Sequence, residues 1–166
     1  MDTTQYPQDF DSFDTVTNAL MSTINAYPGL EYDAEFTFST IPESDGYSVI
    51  ASNGSYIVEE TEDITGHVWQ VCQHPFMVVC RVAGLSSRRK IAIKEWMDTL
   101  AEWLTRKSVV IDGETYQLAK WPELSGERTI RRISRQTAAY LGGINDDKSE
   151  NWVMDLVIQY WNEFDR

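Results

Sequence analysis

Basic residues are missing from the first half of this chain. Residues 1–80 hold no lysine or arginine and 13 acids, whereas residues 81–166 hold all 14 basic groups against 13 acids. A field this lopsided repels phosphate from one part of the surface, which argues against nucleic acid as a main ligand. It leaves acidic or polar protein partners open, alongside the simpler reading that the net charge of −12 serves solubility. Cysteine is scarce: Cys72 and Cys80 make no disulfide framework, so nothing points to a small secreted scaffold. Histidine is scarcer in proportion to its uses. His67 and His74 are the only two, and neither stands near a recognisable Ser or Cys elbow, which weighs against nucleophilic catalysis. No apolar run approaches the ~20 residues of a membrane helix. Met1 to Phe10 is acidic and polar, the opposite of a secretory leader, so a cytoplasmic site of synthesis is expected. Gly142-Gly143 is a lone pair with no Lys-Ser/Thr after it, so it reads as a turn and not as a phosphate loop.

Two further constellations hold residue types that bind metals. Cys72, His74 and Cys80 share strand parity, with His67 nearby, and zinc takes Cys and His ligands. No C-x-x-C pair accompanies them and Pro75 interrupts the parity, so the cysteines read as small buried hydrophobes. Glu59, Glu60, Glu62 and Asp63 lack the spaced oxygens and glycine of a calcium loop and read as a solvated charged edge. No metal and no cofactor is expected.

What is there is a clear alternation of periods. Residues 1–10 read as a flexible arm and 11–166 as a single domain. Phe13, Val16, Leu20, Ile24 and Tyr27 recur at three- and four-residue steps, predicting a helix from Asp11 or Ser12 that ends at Pro28-Gly29. Tyr32 to Ser39 alternates as a half-buried strand. Tyr47–Ser52 and Ser55–Glu60 flank Asn53-Gly54, the strongest short hairpin signal. His67–Cys72 and Phe76–Val82 are two strand pieces, or one long strand interrupted at Pro75. Ser86 or Ser87 caps a second helix with Ile93, Trp96, Met97, Leu100 and Leu104 on its apolar stripe. Asp112-Gly113 is a turn, Thr129–Ile133 a strand and Leu141–Lys148 a polar loop. Trp152–Phe164 closes the chain, with Trp152, Met154, Leu156, Ile158 and Tyr160 on one face. This order predicts an α+β fold: an antiparallel-rich sheet with two main helices packed on one face.

Two basic groups stand out. Arg88-Arg89-Lys90 opens the second helix, where positive charge opposes the dipole. Arg128, Arg131, Arg132 and Arg135 crowd one short segment. Such placement suggests a partner supplying negative charge. The carboxylates of a neighbouring subunit fit better than phosphate in so acidic a chain, and ordinary ion pairs within the chain are the alternative.

The second half resembles the minor capsid and tail-terminator proteins of long-tailed bacteriophages. The likeness covers roughly residues 75–166 and rests on order. A strand, Phe76-Met77-Val78-Val79-Cys80-Arg81-Val82, leads to a helix ending in Trp103-Leu104, then Asp112-Gly113. Next come Thr129-Ile130-Arg131-Arg132-Ile133 and Ala138-Ala139-Tyr140-Leu141-Gly142-Gly143. The closing strand is Trp152-Val153-Met154-Asp155-Leu156-Val157-Ile158-Gln159-Tyr160. The resemblance implies a virion protein and not an enzyme: a homo-oligomeric ring, typically a hexamer, at the head–tail junction. Such a ring caps the tail tube, stops its polymerisation and docks the head connector, and double-stranded DNA passes through its bore. Glu59, Glu60, Glu62 and Asp63 are the expected acidic lining of that bore, since negative charge keeps phosphate from sticking. A head-closure or stopper protein, or a monomeric protein-binding module using the arginines and aromatics, are the alternatives.

Overall fold

The computed structural model of the chain describes residues 6–83 and 87–166. A 3₁₀ turn, Phe10–Ser12, leads into α1, Phe13–Ile24. Four strands follow: β1 Phe36–Phe38, β2 Gly46–Ala51, β3 Tyr56–Glu62 and β4 His67–Val82. Helix α2, Ser87–Leu104, precedes a two-stranded hairpin of β5 Val109–Ile111 and β6 Glu114–Tyr116. Three strands complete the chain: β7 Arg128–Arg135, β8 Tyr140–Ile144 and β9 Glu150–Asp165.

The two 16-residue strands β4 and β9 pair antiparallel along their whole length, from His67 opposite Asp165 to Val82 opposite Glu150. Each is flanked by a strand in two pieces. Along β4 lie β2 and then β3, and along β9 lie β7 and then β8, all antiparallel to the central strand they join. β1 adds to β2 in parallel. The fold is therefore mixed α+β, with seven strands in the main sheet and two helices.

Strand parity decides the core. Even-numbered residues of β4 and β9 point to one face. Cys72, Phe76, Val78, Cys80, Met154, Leu156, Ile158 and Tyr160 are buried there with Val16, Leu20 and Ile24 of α1 and Met97, Leu100 and Leu104 of α2. The apolar alternation of the closing segment thus faces the helices as the sequence predicts. Each fully buried aliphatic or aromatic side chain contributes ~1.5–3 kcal/mol by leaving water.

Several expectations need correction. Asn53-Gly54 turns no hairpin. β2 ends with Ala51 opposite Phe76 and β3 begins with Tyr56 opposite Gln73, so the chain keeps its direction along β4 and merely bulges out over residues 52–55. Neither residue has the positive φ such a turn requires. The reversal comes later, at Gly66 with φ 86°, between β3 and β4. His67 to Val82 is one strand despite Pro75. The Pro75 carbonyl accepts from the Ser52 amide at 3.1 Å, so its donorless nitrogen faces the same edge, where residues 52–55 have left the ladder. Asp112-Gly113 behaves as predicted, with φ of 51° and 82°, and joins β5 to β6. The alternation over Tyr32–Ser39 yields a strand only at Phe36–Phe38, and Tyr32 is exposed. Helix α1 stops at Ile24, before Pro28-Gly29. Leu141–Ile144, expected as loop, is strand, because β9 offers an unpaired edge there. Ser86 lies outside the described residues, and Ser87 is the first residue of α2.

The arm expected over residues 1–10 is not loose in its described part. The Pro7 carbonyl accepts from the Ile57 amide at 2.8 Å, and the Asp9 amide donates to Ser55 at 2.9 Å. Residues 7–9 therefore pair with the start of β3, and Asp9 is buried.

Candidate functional site

The half of the sheet built from β3, β4, β9 and β7 carries most of the residues singled out by charge. Among the described residues β3 pairs only with β4 beyond its contact with the N-terminal segment, and β7 pairs only with β9. They are opposite edges of one four-stranded region, roughly 14 Å apart at three strand spacings. One edge is acidic, with Glu59, Glu60 and Glu62 on β3 and Asp63 in the turn after it. The other is basic, with Arg128, Arg131, Arg132 and Arg135 on β7.

Bulges sort these charges between the two faces. On β7 the register shifts between Ile130 and Arg132. Arg128 and Arg135 lie on the helix face: Arg128 grips Asp9, and Arg135 Nη1 is 2.8 Å from Asp98 of α2. The extra residue turns both Arg131 and Arg132 to the opposite face. Arg131 lies over the Trp161 ring at 5.4 Å, and Arg132 is in register with Gln159. On β3 the shift between Ile57 and Glu59 leaves Glu59 on that open face as well. Glu60 and Glu62 point to the other side, where Arg166 meets them at 2.9 and 2.8 Å. Asp63 accepts from the Thr65 and His67 amides and the Thr65 hydroxyl, which holds its carboxyl below the usual range and shapes the turn.

The basic residues thus divide. Lys90 meets Glu150 at 2.8 Å, and Arg128 and Arg135 pair as described, so these three have ion-pair partners within the chain. Among the described residues Arg88, Arg89, Arg131 and Arg132 form no ion pair, and all four are exposed.

The open face mixes aliphatic and polar side chains. Ile50, Val71, Met77, Val79, Val153 and Val157 lie on it, with Trp69 and Trp161 near one end. Val79 and Val157 are buried by their cross-strand neighbours, whereas Trp69 and Trp161 are each about two-fifths exposed. Across the centre runs a polar row in register on four strands: Tyr56, Gln73, Gln159 and Arg132.

Behind the sheet a second polar group is largely buried. Arg128 donates twice to Asp9, and the Tyr160 hydroxyl donates to the same carboxylate at 2.7 Å. Burial by itself would raise the Asp9 pKa, but these hydrogen bonds outweigh it and lower it. Ser55 Oγ is 2.9 Å from Nδ1 of His74, which has no exposure at all; burial lowers the His74 pKa to about 4 and keeps the ring neutral. Both side chains are buried, so the pair is a structural contact. Cys72, His74 and Cys80 do share one face, as parity predicts. Yet Cys72 and Cys80 stand eight residues apart on one straight strand, about 26 Å, too far to share an ion. Burial pushes their thiols up to about 11 and about 12, so both remain protonated. His67 lies on the opposite face, 2.7 Å from Asp165.

The Asp9–Arg128 anchor, the Ser55–His74 pair and the cross-strand row were missed by sequence reasoning. Each joins residues from distant segments, and no local spacing announces them. The chain matches no model of a known protein family, and no curated protein matches it.

Proposed function

We propose that the chain is a structural protein of the head–tail junction of a long-tailed phage. In this reading it is a tail-terminator ring that caps the tail tube, stops its growth and docks the head connector. It belongs to the virion, assembles in the host cytoplasm and lets double-stranded DNA through its bore. The observation that carries the assembly part is the edge geometry. Exposed Arg131 and Arg132 stand on one edge of the open face, and Glu59 stands on the other. A contact in which the basic edge of one copy meets the acidic edge of the next joins two different patches. Repetition of such a contact closes into a ring when the rotation allows. Trp69 and Trp161, each about two-fifths exposed on that face, support the same reading, since exposed aromatics are common anchors of protein contacts. The resemblance of residues 75–166 supplies the rest: the tube, the connector and the tail-terminator form of the fold.

Light scattering and negative-stain imaging, with and without tail tubes, test the proposal. Closed rings several times the 19.1 kDa chain mass, free or capping tube ends, would support it. A 19.1 kDa monomer that ignores tubes would overturn it and favour a protein-binding module. For Glu59, Glu60, Glu62 and Asp63, lining the bore is the alternative to lining a subunit contact. Loss of assembly on charge reversal would favour the contact. Intact rings that retain DNA would favour the bore.

A further inference from the structure

The edge of a sheet is a row of unpaired backbone donors and acceptors, and folded chains close such rows with charge, with a cover or with very short strands. The main sheet of this chain closes every edge but one. At the three-residue β1 the Phe36 amide donates to Asn25 Oδ1 at 2.7 Å, and the Phe36 carbonyl accepts from Asn25 Nδ2 at 3.5 Å. At β3 the N-terminal segment covers the start through Pro7 and Asp9, and Glu59, Glu60 and Glu62 charge the rest. At β7 four arginines stand in eight residues. β8 has none of these devices. Tyr140-Leu141-Gly142-Gly143-Ile144 carries no charge and no proline, and it pairs with β9 alone among the described residues. Its other side makes no backbone hydrogen bond to any of them. The side chains are open too: Leu141 is 42 % exposed and Ile144 68 %. Leu141 is in register with Trp152 and Ile144 with Glu150, so both lie on the helix face, with the extra residue of the bulge between them. The chain itself requires glycine at 142, where a Cβ would stand 2.5 Å from Val153 Cγ2. It does not require glycine at 143, where a Cβ would meet nothing within 4 Å and φ is not positive. A glycine that weakens a strand without such a reason fits the close approach of another backbone.

We infer that β8 pairs with β8 of a second copy, antiparallel about a two-fold axis between Gly142 and Gly143. The charge pattern selects this edge for self-pairing. Two copies of β7 laid together would set arginines beside arginines, and two copies of β3 glutamates beside glutamates. Like charges facing each other across a ladder destabilise it. β8 brings no charge to the contact. The two-fold sets Leu141 of each copy opposite Ile144 of the other, and both lie on the helix face. Each exposed side chain thereby gains an apolar cross-strand neighbour, and the unpaired backbone groups of each edge find partners on the other. The two glycines meet at the axis, where the backbones come together without side chains between them. This contact joins like to like, whereas the ring contact joins unlike edges, so it does not rest on the ring reading.

The test is sedimentation of the full chain over a concentration series, together with amide hydrogen exchange. It is run on the native chain and on Arg131→Glu, in which the ring contact is weakened. The expected result for Arg131→Glu is a reversible passage from 19.1 kDa to twice that mass, with exchange at Leu141–Ile144 slowing as the dimer fills. Charge placed in the contact then reads its register. Leu141→Lys combined with Ile144→Lys sets lysine opposite lysine and should weaken the dimer by about tenfold or more. Leu141→Glu combined with Ile144→Lys sets each new acid opposite a new base of the other copy, and should bring association back to within about threefold of the parent. Dimers of Arg131→Glu with no rings from the native chain would support this contact and remove the ring reading alone. A chain that stays at 19.1 kDa at every concentration overturns the inference and leaves the edge to a strand of a different protein. A dimer whose exchange at Leu141–Ile144 is unchanged overturns it as well, and so do two double variants of equal affinity.

Discussion

Arg128 holds Asp9 through two hydrogen bonds, Nε to Oδ2 at 3.1 Å and Nη2 to Oδ1 at 2.8 Å, across 119 residues of chain. Both side chains are largely buried, and the Tyr160 hydroxyl completes the carboxylate. The N-terminal segment is thereby fastened to the basic edge strand as well as to β3.

Breaking this pair should destabilise the whole domain. Arg128→Ala leaves a carboxylate buried without its partner, a loss of about 3–5 kcal/mol. Urea denaturation checks it, and a loss below about 1 kcal/mol, the worth of a surface pair, would refute the anchoring role. The pH dependence has a definite sign. The Asp9 pKa is lowered in the folded state, so its contribution is fully present above the unfolded carboxylate value of about 3.9. It is lost as pH falls through the folded value. Asp9→Asn should flatten that acid limb.

His74 predicts a second, separate acid sensitivity. The unfolded chain takes up its proton near pH 6.5, the folded chain only near about 4, because burial disfavours the charged ring. The unfolded state therefore binds more protons between these values, and stability falls as pH drops across that window, by on the order of 3 kcal/mol. Half-buried His67 works the other way: its hydrogen bond to Asp165 raises its pKa, so protonation favours the folded chain. Denaturation midpoints at pH 7, 5.5 and 4.5 should fall steadily in the native chain and hold nearly level in His74→Gln. A level profile in the native chain would contradict the buried neutral ring.

The two glycine signals should respond unequally to alanine. Gly113 has φ of 82°, where a Cβ is strained by ~1–2 kcal/mol. Gly54 has no such φ; a Cβ there meets only the Gln8 side-chain oxygen at 2.7 Å, the end of a flexible chain that can move. Thermal melts should rank Gly113→Ala well below Gly54→Ala. The reverse order would argue that Asn53-Gly54 is a tight turn after all.

Charge exchange across the sheet edges probes assembly. Arg131→Glu, alone or with Arg132→Glu, should weaken self-association at low salt, and Glu59→Arg should do the same. Combining Arg131→Glu with Glu59→Arg should restore part of the loss, since each edge then finds its complement on the next copy. Light scattering between 50 and 500 mM salt, roughly the range over which exposed charges become screened, reads the effect. Single variants that assemble as well as the native chain would remove the edge contact.

Much of this architecture was legible in the residues. The alternation of Met154, Leu156, Ile158 and Tyr160 gives a strand with one buried face whatever it pairs with, because side chains alternate with a period of two. The stripes Val16–Leu20–Ile24 and Met97–Leu100–Leu104 give helices with one buried side for the same kind of local reason. Asp112-Gly113 turns because both of its residues accept positive φ. Local geometry also explains where such reading stops. Asn53-Gly54 carries the same signal as Asp112-Gly113 but lies beside a strand, β4, long enough to accept both flanking pieces. Pairing continued along β4 outweighed the turn.

The sequence by itself determined the two helices, the long alternating strands with their buried faces, and the segregation of charge, since these follow from period and composition. Which arginines are available was decided only by the tertiary structure. Arg128, Arg131, Arg132 and Arg135 look alike in the chain, yet one extra residue in the β7 ladder sends two of them to acids on the helix face and two to the open face. The row of Tyr56, Gln73, Gln159 and Arg132 has the same origin, because register between strands far apart in sequence is fixed by packing and pairing across the whole sheet.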